Sequence, residues 1–121
     1  MKAVMLAAGI GARLGANNTE PPPKVLLRFD RKSLLEYHLE NLKGQGIDEL
    51  VLGVGYKHDD IEQEIAALSA QDFVRTVFNA DYREGNIITL WSLRDDLSCG
   101  DPVLLMDADL LYDEELLKRL I

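Results

Sequence analysis

Cysteine occurs once in the 121 residues, and membrane-length apolar runs do not occur at all. Cys99 cannot close a disulfide within the chain, so stability has to come from a packed core, and a reducing compartment, the cytoplasm, is the expected setting. A membrane-spanning helix needs about 20 consecutive apolar residues, which no stretch here approaches, so no membrane partner is expected. Basic residues are also short: 13 Lys and Arg stand against 21 Asp and Glu, for a net charge of -8. So acidic a surface repels a phosphodiester backbone, which excludes nucleic acid as the expected partner. Lys2 and the small apolar residues up to Ala12 superficially resemble a secretory signal, but Gly9, Gly11 and Arg13 break that pattern. Repeats, low-complexity tracts and interdomain linkers are absent too; Pro21-Pro22-Pro23 is a stiff piece within a loop.

What is present is an ordinary globular composition, 47% apolar and 28% charged, at a length that suits one domain over residues 1–121. Strand-like and helix-like segments alternate, the pattern of βαβ units around a parallel sheet buried on both faces. Strands are expected at Lys2–Ala8, Glu49–Gly55, Phe73–Phe78 and Pro102–Met106. Ser33-Leu34-Leu35-Glu36 has capping-box spacing and opens a helix with Leu35, Leu39 and Leu42 on one face, stopped by Gly44 and Gly46. Further helices are expected over Asp59–Leu68, over Asn86–Leu97 with Leu90, Leu93 and Leu97 inward, and from near Asp113 to the chain end. That last helix is still apolar at Leu120 and Ile121, so the domain looks cut short. Its uncovered face would suit a partner, a second copy of the chain included.

Three segments carry chemistry. In Leu6-Ala7-Ala8-Gly9-Ile10-Gly11-Ala12-Arg13-Leu14 a glycine turn follows a buried strand directly, and glycines there let backbone N–H groups approach phosphate oxygens. Arg13, and Lys24 after Pro23, supply the positive charge a triphosphate requires. No Gly-Lys-Ser/Thr follows and Gly-x-Gly-x-x-Gly is not met, which excludes a Walker loop and a dinucleotide fingerprint. A tight strand-to-helix turn with solvated cations is the plainer alternative. In Met106-Asp107-Ala108-Asp109, two carboxylates two residues apart at a strand end can present hard oxygens to magnesium, although Asp at such ends also serves as a helix cap. Asn79-Ala80-Asp81-Tyr82-Arg83-Glu84-Gly85-Asn86 precedes Ile87-Ile88-Thr89-Leu90, with Asn86 also a good N-cap. Gly53-x-Gly55-Tyr56-Lys57 either flanks a ligand or turns into a helix. His38 and His58 lie on no metal spacing and read as packing or surface residues. Trp91 reads as core.

Leu-x-x-Gly-x-Gly-x-Arg-Leu followed by Pro23-Lys24 resembles the signature of the nucleotidyltransferases that make nucleoside-diphosphate sugars and alcohols. The Asn79–Leu90 segment resembles the phosphocholine and inositol-phosphate cytidylyltransferase branch, with Thr89 where Ser is commoner. The resemblance covers the N-terminal half of such a domain and implies a Rossmann-like α/β three-layer sandwich with a mostly parallel sheet. It implies that Leu6, Ala7, Ala8, Gly9 and Gly11 hold the nucleotide, that Arg13 and Lys24 grip the triphosphate and act in catalysis, and that Gly85 and Asn86 read the base or ribose. It further implies that Asp109, assisted by Asp107, holds Mg2+. The substrates implied are a nucleoside triphosphate, CTP by preference and UTP as the alternative, and a phosphorylated alcohol or sugar acceptor. The acceptor pocket, with a second metal-binding carboxylate, belongs to the family's portion beyond Ile121. Two other readings are a non-catalytic nucleotide-binding module of the same fold and a glycosyltransferase using Asp-x-Asp; the latter lacks the Gly-x-Gly-x-Arg loop and Lys24.

Overall fold

The computed structural model describes residues 1–7, 22–81, 89–91, 93–98, 100–108 and 114–120. Four parallel strands form its sheet: β1 (Lys2–Leu6), β4 (Glu49–Val54), β5 (Val74–Phe78) and β6 (Val103–Asp107), in the order β5-β4-β1-β6. All four expected strands are there, each within two residues of its predicted ends. A small antiparallel pair, β2 (Arg28–Phe29) with β3 (Lys32–Ser33), was not foreseen. Asp30 and Arg31 join its strands at positive φ, 52° and 70°, a conformation for which the sequence offers no glycine.

Helix α1 (Leu34–Gly44) begins as expected, with the Ser33 hydroxyl accepting from the Glu36 N–H at 3.1 Å. It ends in a Schellman-type closure: Gly46 takes φ of 78° and the Ile47 N–H donates to the Leu42 carbonyl at 3.1 Å. Helix α2 (His58–Ala67) has no side-chain cap and relies on Asp59 and Asp60 in its first turn, which suit the positive end of the helix dipole. Short helices α3 (Arg94–Leu97) and α4 (Glu114–Leu120) follow later in the chain. The expected helix over Asn86–Leu97 is therefore different in detail, because residues 89–91 are helical but Leu93 is a turn that leads into α3.

Both faces of the sheet are covered, so β1 alternates inward on two sides rather than one. Ala3 and Met5 pack with Leu50, Leu52 and Val54 beneath Leu35, Leu39 and Leu42 of α1 and Ile61 and Ile65 of α2. Val4 and Val51 face the other way, against Leu93 and the half-buried Leu97. Helices, sheet and the 89–97 segment are thus three layers. A fully buried Leu or Ile contributes roughly 1.5–3 kcal/mol, and no described residue of β1 between its ends is exposed.

Trp91 is a correction. It is 64% exposed rather than core, lying against the Arg94 guanidinium 4.7 Å from the ring centroid. The inward positions of this segment are taken by Thr89 and Leu93, which leaves Trp91 on the outer side. At the amino ends of the strands an ion cluster ties layers together: Asp96 of α3 pairs with Arg75 of β5 and, at 3.2 Å, with Lys2 of β1. Burial alone would raise the Asp96 pKa, but the hydrogen bonds and charges of Arg75 and Lys2 outweigh it and hold the carboxyl below its ordinary value.

Candidate functional site

The strand order reverses between β1 and β6. From β1 the chain moves outward through β4 to β5, then returns to pair β6 on the other side of β1. In open α/β sheets ligands bind outside the carboxyl ends of strands at such a reversal. Here Leu6, last residue of β1, stands in register with Asp107, last residue of β6. The entry to the predicted nucleotide loop and one of the two aspartates predicted to hold metal are brought side by side.

Backbone bonds extend both seams of β1, to β4 and to β6, beyond the strands. Ala7 donates to the Gly53 carbonyl at 2.8 Å, and Ala108 to the Leu6 carbonyl at 3.3 Å. Ala7 and Ala108 are buried while the Asp107 side chain is exposed. Beneath Ala108 lies His38, wholly buried in α1, its Nε2 2.8 Å from the Ala108 carbonyl oxygen. A carbonyl can only accept, so this nitrogen carries the proton.

Pro23 is buried and caps a 3-10 turn, Lys24–Leu26, with the Leu26 N–H bonded to the Pro23 carbonyl at 2.9 Å. Val25 is buried against the core and anchors the turn, so the backbone of Lys24 is fixed while its side chain is part-exposed.

At the carboxyl end of β5 the Asn79 amide donates to the Thr89 hydroxyl at 3.0 Å, and both residues are buried. The Asn79 side-chain oxygen also accepts from the Asp81 N–H at 2.9 Å, an Asx turn. The first bond clips together the two ends of the 80–88 connection, and the second fixes the turn at its start. Gly53 makes this possible by close packing: a Cβ there would lie 2.8 Å from the Thr89 methyl. For the first glycine of the Gly53-x-Gly55 segment that is a third role, close packing from within β4, which neither reading of the segment foresaw.

The MobA-like NTP transferase domain matches residues 3–121, nearly the whole chain. The chain belongs to that family. A choline-phosphate cytidylyltransferase of Streptococcus pneumoniae is 37% identical over 110 residues, covering 90% of this chain and 44% of that one. The inositol-1-phosphate CTP transferase of T. maritima superposes with a TM-score of 0.75 at 27% identity, over 97% of this chain and 46% of that one. Rv0371c of Mycobacterium tuberculosis H37Rv, solved in complex with manganese, superposes with a TM-score of 0.63 at 25% identity, over 98% of this chain and 56% of that one. The NTP transferase domain thus spans about half the length of these relatives. Its Rossmann-like, mostly parallel architecture is the fold they share.

Of the predicted site residues, Leu6, Ala7, Lys24 and Asp107 fall in the described residues, and Leu6, Ala7 and Asp107 converge at the β1–β6 junction. Ala8, Gly9, Gly11, Arg13, Gly85, Asn86 and Asp109 lie outside them. The bond from His38 was missed. The available signal was position: His38 shares the apolar face of α1 with Leu35 and Leu42, and a polar ring buried there must find a hydrogen-bond partner. The same argument applies to Asn79 and Thr89. Among the described residues, no three His, Cys, Asp or Glu side chains converge as a metal cage, and no helix is long and apolar enough to cross a membrane.

Proposed function

We propose that this domain is the nucleotide-binding half of an enzyme that transfers a nucleotidyl group, CMP by preference, from a nucleoside triphosphate to a phosphorylated alcohol or sugar, releasing pyrophosphate. The observation that carries the reading is the register of Leu6 with Asp107 at the switch point of a sheet belonging to the NTP transferase family. The preference for CTP over UTP rests on the cytidylyltransferases among its relatives and on the Asn79–Leu90 segment.

In such a reaction an acceptor phosphate attacks the α-phosphorus and pyrophosphate departs. The nucleophile is already an anion, so what the protein supplies is alignment and charge neutralisation rather than a base. The backbone after Leu6 would cradle the phosphates, with Arg13 and Lys24 balancing their charge. Asp107 and Asp109 would hold the magnesium ion. Magnesium is normally bound by one or two carboxylates plus substrate phosphates, and the exposed Asp107 carboxylate at the strand end fits that donor set. When bound, the ion neutralises phosphate charge and keeps the triphosphate in line.

The test is made on the intact protein with magnesium, CTP or UTP, and phosphocholine, inositol phosphate or sugar 1-phosphates. Pyrophosphate release is expected with CTP and one acceptor, and is lost in Asp109→Ala. No release with any pair refutes the transferase reading. Nucleotide binding unchanged in both Arg13→Ala and Lys24→Ala refutes the loop assignment.

A further inference from the structure

Ala108 is fixed from two directions. Two of its restraints are sheet pairing: the register of Leu6 with Asp107 and the Ala108 N–H bond to the Leu6 carbonyl at 3.3 Å. The third comes from a different layer, where the His38 Nε2–H donates to the Ala108 carbonyl at 2.8 Å across 70 residues of sequence. His38 has no solvent exposure and is surrounded on α1 by Leu34, Leu35, Leu39 and Leu42, all buried. A polar ring is costly in such a place unless its bond is worth keeping. Turning the peptide that leads out of Ala108 would break that bond and leave a buried carbonyl without its donor.

Ala108 separates Asp107 from Asp109. We infer that His38 is a positioning residue for this strand end: by holding the Ala108 carbonyl it locks the end of β6 that carries Asp107, and so the position from which that carboxylate is offered to a metal. His38 touches neither nucleotide nor metal in this role and acts through backbone alone. The inference rests on the reading of Asp107 and Asp109 as the magnesium-holding pair. Groups that orient metal ligands from behind typically change metal affinity 10–100-fold when removed.

The experiment compares wild type, His38→Leu and His38→Gln in the intact protein. Leu keeps apolar bulk without a donor; Gln places an amide N–H near the position of Nε2. Manganese binding in the presence of CTP is measured by electron paramagnetic resonance of the free ion, and CTP binding is measured separately without metal. The expected result is manganese binding weakened about 10-fold in His38→Leu. Metal-free CTP binding should be unchanged, and manganese affinity should be restored in His38→Gln. Wild-type manganese affinity in His38→Leu, with Asp109→Ala losing it, overturns the positioning role and leaves the metal pair standing. Unchanged affinity in Asp109→Ala overturns the metal pair and the positioning role with it. Should His38→Leu fail to fold, His38→Asn, whose amide is too short to reach the carbonyl, replaces it. Equal manganese affinity in the Asn and Gln variants then overturns the inference.

Discussion

Replacing Gly53 by alanine tests how tightly the 89–97 layer sits on the sheet. Gly53 lies within β4 and is not among the glycines at positive φ, so its backbone accepts a side chain without strain. Space is the obstacle. The new Cβ would lie 2.8 Å from the Thr89 Cγ2 and 2.9 Å from the Leu93 Cδ1. Carbon atoms settle about 3.5–4.0 Å apart, so both contacts overlap by roughly 0.6 Å or more. Neither neighbour yields freely: Leu93 is fully buried, and rotating Thr89 would break its bond from Asn79. Overpacking of this kind costs about 1–3 kcal/mol. At about 4 °C per kcal/mol for a domain of this size, thermal unfolding should fall by about 4–12 °C. The decisive comparison is with Thr89→Ser, which removes the colliding methyl and keeps the hydroxyl, and which alone costs roughly 0.5–1.5 kcal/mol. Urea unfolding of the two single variants and the double variant should give a coupling of about 1 kcal/mol in favour of the pair. A Gly53→Ala cost below about 0.5 kcal/mol, or costs that simply add, would refute the close-packing argument.

Two further perturbations address the clip and the ion cluster. Asn79→Ala leaves the buried Thr89 hydroxyl without its donor and the Asp81 N–H without its acceptor. Stability should fall by about 1–3 kcal/mol and nucleotide affinity with it, and calorimetric titration at wild-type affinity would show that the clip does not support the binding segment. Asp96→Asn should cost about 1–2 kcal/mol at neutral pH, allowing for the half-exposed Arg75 partner. The folded-state pKa of Asp96 lies below the unfolded value. Its contribution is therefore complete above the unfolded pKa, near 3.9, and is lost as pH falls through the lower folded value. The gap between wild type and Asp96→Asn should accordingly close in acid below about pH 4, and a gap that persists there contradicts the assignment.

The elements most legible in the sequence were those with a single physical cause. Near-continuous apolar runs became buried parallel strands, and Ser33 with Glu36 became a real cap. The β2–β3 pair was invisible because it is two residues a side and turns through Asp30 and Arg31, where no glycine or asparagine marks the bend. Trp91 misled because size alone suggested burial, while the inward positions were claimed by the smaller Thr89 and Leu93. At the site, the aspartate pair and the glycine loop could be proposed from the sequence because the chemistry expected of them would be carried by residue type. His38 and Gly53 were not, since what they do depends on a partner 70 residues away in one case and on another layer's closeness in the other.

The strand order also assigns unequal loops to its seams. Pairing β1 with β4 joins Lys2 to Glu49 and pairing β4 with β5 joins Leu50 to Val74, whereas pairing β1 with β6 joins Lys2 to Val103. Each doubling of the intervening chain adds about 0.6 kcal/mol of closure entropy, so the β1–β6 seam, taken by itself, carries the largest closure cost of the three. That seam is also the proposed ligand cleft. A nucleotide held across it would clamp the longest loop in the domain, and affinity there and resistance of β6 to peeling away would then be two measures of one free energy.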